Sequence, residues 1–193
     1  MKLNTTGPLL FTLYTADIGK VIQQHRLSHH CFADDNQVYA ACTLSECTAL
    51  KSRMIHCIKS IGAWMASNRL ALNPLKWEFM WCDSPRRTHL IDKSAFVLPD
   101  GPVNVSSSVR NLGLYFDESL SMTDHVNRLV RTCFYQLRRI RLIRRSLTAA
   151  VGTRLVNSFI IARIDFCNSI LAGLPRYQLS RIQSILNVAA RLI

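Results

Sequence analysis

Two adjacent carboxylates, Asp34 and Asp35, lie inside an otherwise apolar run that reads HHCFADDNQVYAA at residues 29–41. The flanking segments, CFA and VYAA, are built from aromatic, small and β-branched residues, which is typical of strands. Asp and Asn are common turn residues because their side chains hydrogen-bond to nearby backbone. The segment therefore predicts two antiparallel strands joined by a tight turn that carries both acids.

The acidic pair fits two interpretations from the local sequence. Transfer of a nucleotide to a 3′-hydroxyl uses two divalent ions held by acidic side chains, and Mg²⁺ prefers carboxylate oxygens. A turn between two strands would hold such carboxylates rigidly in a cleft. The alternative is a solvated hairpin turn without a ligand. The local sequence leaves both interpretations open.

Helical periodicity precedes and follows this hairpin. The segment GPLLFTLYTADIGKVIQ has helical spacing, with Pro8 at a first-turn position that helices tolerate. Thr43 and Glu46 form a capping-box pattern, and apolar residues then recur at threes and fours as far as Met65. These patterns predict one helix before the hairpin and one after it, the second ending near Asn68.

The remaining chain divides into short strands and long helices. EFMWC, SAFVL, VNVS and VRNLGLYFD read as strands of a small antiparallel sheet. From Ser121 the spacing becomes helical, and further helical patterns run from Thr148 to Phe166 and after Pro175. The chain is therefore predicted to be α+β, with a partial sheet domain at residues 1–120 and an all-α domain at residues 121–193.

Positive charge is concentrated in the second half of the chain. Of the net charge of +12, residues 110–193 contribute +9, from 13 arginines, no lysine and 4 acidic residues. A solvated helix face is the ordinary explanation of such charge, but crowded arginines repel one another unless an anion covers them. The planar guanidinium also suits phosphate. The sequence thus predicts nucleic-acid contacts for Arg128, Arg131, Arg138, Arg141 and Arg145.

Cysteine usage and hydropathy bear on the compartment. The seven cysteines are odd in number and never form C-x-x-C, which favours neither a disulfide framework nor a zinc site. Gly7-Pro8 interrupts the first apolar run, and no other run approaches the roughly 18 apolar residues of a membrane span. An intracellular protein of the nucleus or cytoplasm is expected, without a membrane partner and with its oligomeric state open.

Several segments together resemble the reverse transcriptases of non-LTR retrotransposons, the LINE-type elements, and especially the chicken-repeat and Jockey-like group. GPLLFTLYTADI, FADD and WMASNRLALNPLKWEFM are similar to palm segments of that family. VRNLGLYFDESLSMTDHV is similar to its primer-grip region, and RIDFCNSILAGLP with IQSILNVAARLI to its thumb. The resemblance covers nearly the whole chain in the family's order.

The resemblance implies a role for each matching residue. Asp34 would be the metal-bridging carboxylate and Asp35 its neighbour, with Mg²⁺ or Mn²⁺ as the cofactor. Lys76 would protonate the departing pyrophosphate oxygen as a general acid. Leu112 and Gly113 would form the primer grip, where glycine permits close approach of the backbone to nucleic acid.

The same resemblance implies the domains and partners. Residues 1–120 would be a partial palm and residues 121–193 an arginine-rich helical thumb. The partners would be an RNA template paired with a DNA primer, that is, an RNA–DNA hybrid, together with deoxynucleotide triphosphates.

The chain also departs from the family pattern. Trp77 replaces the usual Thr, and Ala71 replaces a common Lys or Arg. In the family, a further catalytic aspartate and the fingers precede GPLLF, and this sequence contains neither. We therefore expect a palm-and-thumb fragment of an RNA-directed DNA polymerase that is inactive alone. The alternatives are a non-enzymatic nucleic-acid-binding module and a non-functional remnant.

Overall fold

The computed structural model describes residues 6–73, 76–98 and 101–193. Two compact units make up the chain, one formed by Met1–Phe79 with Arg86–Ser106 and the other by Met80–Pro85 with Ser107–Ile193. In the first unit, helices precede the first antiparallel strand pair. In the second unit, an antiparallel strand pair precedes the helices. The predicted α+β class, a partial palm followed by a helical region, is confirmed.

The first unit begins with two helices where the sequence predicted one. Helix α1 spans Thr6–Tyr14 and α2 spans Ile18–Gln24. Between them the hydroxyl of Thr15 donates to the carbonyl of Phe11 at 2.9 Å, and the Ile18 amide donates to the Thr15 carbonyl at 3.1 Å. Such local bonds compete with regular helical ones. The prediction of one continuous helix is therefore wrong at this turn.

Helix α3 spans Cys47–Ser67 and follows the predicted capping box. The Thr43 amide donates to Oε2 of Glu46 at 2.9 Å, which satisfies a backbone donor ahead of the helix. The side chains buried along it recur at threes and fours: Leu50, Met54, Cys57 and Ile61. The helix and its end near Asn68 are confirmed.

The strands form three separate antiparallel pairs within the described residues. β1 (Ser28–Phe32) pairs with β2 (Asp35–Tyr39), and β3 (Phe96–Leu98) pairs with β4 (Gly101–Val103). In the second unit, β5 (Ser108–Asn111) pairs with β6 (Leu114–Asp117). EFMWC was predicted to be a strand, but it contributes only an isolated bridge from Phe79 to Val105.

Helices form the core of the second unit. They are α4 (Thr123–Ile143), α5 (Ala149–Val156), a π-helical segment (Asn157–Ile161), α6 (Ala162–Asp165) and α7 (Arg176–Leu192). The apolar face predicted for α4 packs against residues of the later helices, and the fully buried members include Val126, Cys133, Val156, Ile160 and Ile185. Burial of this face stabilises the unit, because each large apolar side chain contributes roughly 1.5–3 kcal/mol when removed from water.

Asp117 sets the start of α4. The carboxylate accepts from the amides of Ser121 and Thr123 at 2.9 and 3.1 Å and from the Ser119 hydroxyl at 2.7 Å. Met122 adopts a left-handed backbone with φ 58°, so the helix begins at Thr123 rather than at Ser121, where the pattern predicted it. An acid at a helix start also interacts favourably with the exposed amides and the helix dipole.

No helix in the described part of the chain is long and apolar enough to cross a membrane.

Candidate functional site

The FADD hairpin, β1 and β2 with their turn, carries the two acids predicted to be catalytic. Phe32 pairs with Asp35 at the end of the ladder, so Ala33 and Asp34 form a two-residue turn. Asp34 lies in that turn and Asp35 is the first residue of β2. Phe32 is 58% exposed, and both acids are exposed as well. The structure thus presents the adjacent carboxylates at the solvent-facing tip of a short hairpin.

The hairpin tip has a strained backbone. Ala33 has φ 53°, in the left-handed region that favours glycine. For an alanine this conformation costs roughly 1–2 kcal/mol. Strain of this kind persists only where surrounding structure enforces it, and it concentrates at functional sites. The tight connection between Phe32 and Asp35 enforces it here.

The base of the hairpin packs against α2. A Cβ placed on Gly19 would lie 2.6 Å from Nε2 of His29, so the imidazole ring occupies the space that any larger residue would need. Gly19 itself is buried. The hairpin is therefore held at the start of β1, several residues away from the acids.

The two carboxylates fit the donor preferences of Mg²⁺. Neither Asp34 nor Asp35 forms a hydrogen bond or ion pair through its carboxylate with any described residue, so the oxygens remain free for a ligand. Within the described ranges, no group of three or more His, Cys, Asp and Glu residues could hold a metal ion. Mg²⁺ is commonly bound by one or two carboxylates together with substrate phosphates and water, which is the set this hairpin could complete.

Lys76 is exposed, and no described residue pairs with its ammonium group. Its backbone amide donates to the carbonyl of Asn73 at 3.1 Å. No hydrogen bond or ion pair in the described residues joins Lys76 to Asp34 or Asp35. Among the described residues, the predicted general acid therefore makes no direct bond to the predicted metal ligands.

The grip hairpin, β5 and β6 with their turn, carries Leu112 and Gly113. Both turn residues have positive φ, 45° for Leu112 and 87° for Gly113, the pattern of a type I′ turn. A Cβ on Gly113 would lie 3.3 Å from the ring of Phe166. Glycine is required here by the turn conformation, and Phe166 makes the space above it still tighter.

Arginines lie against the grip hairpin through Tyr115. The guanidinium of Arg128 lies 4.1 Å from the centre of the Tyr115 ring, and that of Arg110 lies 5.9 Å from it. Cation–π contacts of this kind fix the planes of the guanidinium groups. Arg128, predicted to bind nucleic acid, is thus positioned beside the predicted primer grip.

The other predicted arginines project from α4 and the turn after it. Arg131 and Arg138 are seven residues apart on α4, so they share one exposed side, and Arg141 and Arg145 are exposed as well. None of these four forms an ion pair with a described acid. Their charge is therefore available to an external anion.

Arg144 has a structural role instead. Its guanidinium donates to the backbone carbonyls of Leu192, Ile193 and Leu147 at 2.7, 2.6 and 3.1 Å. Carbonyls at a helix C-terminus lack intrahelical partners, and a cation there is favourable. The arginine-rich region at residues 110–193 therefore contains at least one arginine that holds α7 rather than a ligand.

Sequence reasoning missed Asp117 as the residue that joins the grip hairpin to α4. Burial would raise the pKa of this carboxyl, but hydrogen bonds from Ser119, Ser121 and Thr123 outweigh it and hold the pKa below its ordinary 3.8. The pattern D-x-S-x-S at residues 117–121 is the signal that was available, because Asp side chains readily accept from amides that follow them in turns.

Comparison with known families assigns the first part of the chain. The family model for reverse transcriptase (RNA-dependent DNA polymerase) matches residues 4–116, more than half of the 193 residues. The match includes the FADD hairpin and nearly all of the grip hairpin. No curated protein and no solved structure gave a match. With its acidic hairpin inside the matched region, the chain belongs to the reverse transcriptase family.

Proposed function

We propose that this chain is part of the RNA-directed DNA polymerase of a non-LTR retrotransposon, acting inside the cell in the nucleus or cytoplasm. The observation that carries the proposal is the pair of free carboxylates at the tip of the FADD hairpin, within the region that matches the family. The remaining predicted residues supply supporting functions around this pair.

Asp34 and Asp35 would hold the divalent ion. The resemblance to reverse transcriptases implies Mg²⁺ or Mn²⁺ as this ion. When bound, such ions activate the attacking 3′-hydroxyl and stabilise the charge that develops on the phosphate oxygens. The chain's own contribution is positioning: the strained two-residue turn restricts the directions in which the two carboxylates can point. Lys76 would donate a proton to the leaving pyrophosphate oxygen once nucleotide binding brings it near.

The grip hairpin and the arginines would hold the nucleic acid. Leu112 and Gly113 present backbone at a tight turn, where a primer strand can approach closely. Arg128, Arg131, Arg138, Arg141 and Arg145 would contact phosphates of the hybrid. Domain roles follow from this assignment, with residues 1–120 acting as partial palm and residues 121–193 as thumb.

Metal binding can be tested without any catalytic activity. Mn²⁺ broadens NMR signals of nearby nuclei, so titration should broaden the amides of residues 33–36 in the wild-type chain. Replacing Asp34 and Asp35 by Asn should abolish this broadening. The matched control is Asp92→Asn, which removes an exposed acid elsewhere in the same unit. Equal broadening in the double variant would contradict the assignment of the metal ligands.

We also propose that the chain does not extend primers by itself. The two carboxylates provide only part of the coordination that two ions need. Orientation of the triphosphate relative to the primer 3′-hydroxyl can account for roughly 7–11 kcal/mol of the barrier in such reactions. The test is primer extension on an RNA template with Mg²⁺ or Mn²⁺. It compares the unmodified chain, its Asp34→Ala, Asp35→Ala double variant and a fusion that places a fingers-and-palm segment from a related element before Gly7. Extension by the unmodified chain that the double variant loses would contradict this proposal.

A non-enzymatic nucleic-acid-binding module is the second candidate function. The observation that favours it is the set of exposed arginines without acidic partners. Because bound phosphates release counterions, affinity for RNA–DNA hybrid should fall by roughly 10³-fold or more between 50 and 200 mM salt if about six contacts form.

Charge-matched variants locate that binding surface. Changing Arg138, Arg141 and Arg145 to Glu should abolish most of the salt-dependent binding. Changing Arg26, Lys59 and Arg69 to Glu alters the net charge equally on exposed positions of the other unit. Equal losses in both triple variants would show that net charge, rather than the α4 arginines, drives binding.

A further inference from the structure

A hollow of about 400 Å³ opens within the second unit, beside the grip hairpin. Its wall comes from three places: the hairpin at Gly113 and Tyr115, the first turns of α4, and the stretch from the π-helical segment to Phe166. This volume lies within the range of small-ligand sites, roughly 300–1,000 Å³. We refer to it as the α4–α6 pocket.

A buried polar group in its wall lacks a partner. His125 is only 9% exposed, and its Nδ1 forms no hydrogen bond with any described residue. Burial also lowers the pKa of this imidazole, so the ring is neutral at physiological pH and one of its nitrogens carries a proton. Because Nδ1 itself is buried from solvent, other atoms of the ring border the open space of the pocket.

Two arginines reach the α4–α6 pocket from different elements. Arg128 comes from α4 and Arg163 from α6, and neither is ion-paired with a described acid. The hydroxyls of Thr132 and Ser158 line the pocket as well. Ser158 belongs to the π-helical segment, a distortion that is frequent at functional sites. Guanidinium groups beside hydroxyl donors form a suitable binding set for a phosphate group.

The remaining wall is apolar and larger than a phosphate alone needs. Leu129 and Ala162 line it, and the Phe166 ring lies across the turn at Gly113 while remaining 52% exposed. An exposed aromatic ring in the same wall as two arginines matches a ligand that joins a flat ring to an anion. Stacking of a nucleobase on such a ring is worth roughly 1–3 kcal/mol.

We propose that the α4–α6 pocket binds one nucleoside 5′-monophosphate unit, with its phosphate between Arg128 and Arg163 and its base against Phe166. The unit can come from a free mononucleotide or from an unstacked nucleotide at the end of a strand. This site is distinct from the carboxylates of the FADD hairpin and does not depend on polymerase activity.

Calorimetric titration of the full chain with AMP, adenosine and inorganic phosphate tests the ligand chemistry. AMP should bind more tightly than either adenosine or phosphate, because only AMP engages both parts of the pocket. Inorganic phosphate that binds as tightly as AMP would overturn the proposal. In NMR spectra, AMP should shift the ring ¹⁵N signals of His125, and unchanged ring signals at saturating AMP would also overturn it.

The residue assignment needs variants that keep the fold. Arg163→Gln should weaken AMP binding by about ten- to hundredfold, as expected for loss of a charge-assisted contact. Arg154→Gln is the matched control, since it removes the same charge from an exposed position of α5 outside the pocket. Equal weakening by both variants would overturn the proposal, because it would show non-specific attraction. Unfolding curves for each variant establish that the fold is retained.

A second titration distinguishes the two sources of the nucleotide. DNA hairpins with a blunt end and with one unpaired 5′-phosphorylated terminal nucleotide are compared in wild type and Arg163→Gln. A preference for the unpaired end that Arg163→Gln removes identifies the strand end as the ligand. If both hairpins bind equally, and if AMP displaces labelled AMP but does not displace either hairpin, the ligand is the free mononucleotide. Failure of AMP to bind at all would overturn the proposal while leaving Mn²⁺ binding at Asp34 and Asp35 as a separate result.

Discussion

The FADD hairpin and the grip hairpin share one design but differ in how they are held. Each joins two short antiparallel strands by a two-residue turn, Ala33-Asp34 in one and Leu112-Gly113 in the other. Each turn contains a non-glycine residue with positive φ, Ala33 at 53° and Leu112 at 45°. The local geometry is therefore similar, and the difference between them comes from their surroundings.

The grip hairpin is fixed along its length. Leu114 is buried, Tyr115 lies under the Arg128 guanidinium, and Asp117 accepts hydrogen bonds from the start of α4. Phe166 packs against its turn. The FADD hairpin, in contrast, is held near its base by the contact of His29 with Gly19, while its tip is exposed.

Under the proposed function, this difference follows from what each hairpin would have to leave free. Carboxylates that are to bind a metal cannot also be satisfied by neighbouring donors, so the tip of the FADD hairpin would lack contacts that could stabilise it. A turn that is to support nucleic acid through its backbone could use all of its side chains for packing. Low local stability is thus expected where the ligand itself supplies the missing interactions.

The largest expected difference is the rate of amide hydrogen exchange in the FADD hairpin compared with that in α4. Amides of β2, residues 35–39, should exchange at least about a hundredfold faster than amides of α4 around Cys133, corresponding to roughly 2.7 kcal/mol. The reason is that Cys133 and its neighbours are buried, whereas most of the FADD hairpin is exposed. Amides of the grip hairpin should exchange at intermediate rates.

Addition of Mn²⁺ sharpens this measurement. If the ion binds at the tip, it should slow exchange in the FADD hairpin and leave α4 unchanged. Equal protection of β2 and α4 in the metal-free chain would contradict the lower local stability expected for the FADD hairpin.

Removal of the Asp117 carboxylate should have the next largest effect. Asp117→Ala leaves the Ser121 amide without its acceptor and removes the bonds to the Thr123 amide and the Ser119 hydroxyl, so we expect the free energy of unfolding to fall by about 2–3 kcal/mol. Asp35→Ala should change it by no more than about 0.5 kcal/mol, because that carboxylate is exposed and forms no hydrogen bond or ion pair with a described residue. Urea unfolding curves followed by circular dichroism give both values, and a smaller loss for Asp117→Ala than for Asp35→Ala would contradict the argument.

The same residue predicts a dependence on pH. Because the pKa of Asp117 is lower in the folded chain than its ordinary 3.8, its contribution is present above the unfolded pKa of about 3.9. This stabilising contribution of Asp117 is lost as the pH falls from the unfolded pKa through the lower pKa of the folded chain. The wild type should therefore lose more stability than Asp117→Asn between pH 5 and pH 3. Taking the difference between the two proteins cancels the contributions of Glu46 and Asp92, whose pKa values are also lowered. Parallel pH profiles would contradict this contribution.

Periodicity and turn chemistry made much of the fold predictable. The apolar face of α4, the capping box at Thr43 and Glu46 and the helix after Pro175 all appear as the sequence predicts, because each depends on residues only three or four positions apart. The break between α1 and α2 was not predictable in this way. It depends on local bonds of Thr15, a residue that helices also accommodate without interruption.

Long-range contacts account for what the sequence could not show about the site. The FADD motif predicted the acidic turn, but nothing near residue 19 indicates that His29 would lie against it. Likewise, Arg144 and Arg128 occupy the same arginine-rich segment, although one binds backbone carbonyls and the other lies over Tyr115. The contacts of His29 with Gly19, of Arg128 with Tyr115 and of Arg144 with Ile193 join residues 10, 13 and 49 positions apart, and such separations leave no local pattern.

The smallest expected effect comes from introducing glycine at Ala33 in one turn and removing Gly113 from the other. Ala33→Gly removes roughly 1–2 kcal/mol of left-handed strain but adds freedom to the unfolded chain, which offsets about 0.4–1 kcal/mol. We therefore expect a net stabilisation of roughly 0–1.6 kcal/mol. Gly113→Ala should destabilise by roughly 1–2 kcal/mol, because alanine adds strain at φ 87° and brings its Cβ to 3.3 Å from Phe166. Urea midpoints at an unchanged slope measure both effects.

Measurements of Mn²⁺ affinity then show whether the backbone strain at Ala33 helps to position the two carboxylates. If the left-handed Ala33 restricts where Asp34 and Asp35 point, a glycine there should weaken Mn²⁺ binding even though the chain becomes more stable. Stability and affinity would thus change in opposite directions, a result that simple damage to the fold cannot produce. Gly113→Ala is the control, since it lowers stability at a turn without metal ligands and should leave Mn²⁺ affinity unchanged. Unaltered affinity in Ala33→Gly would show that the strained turn does not position the carboxylates.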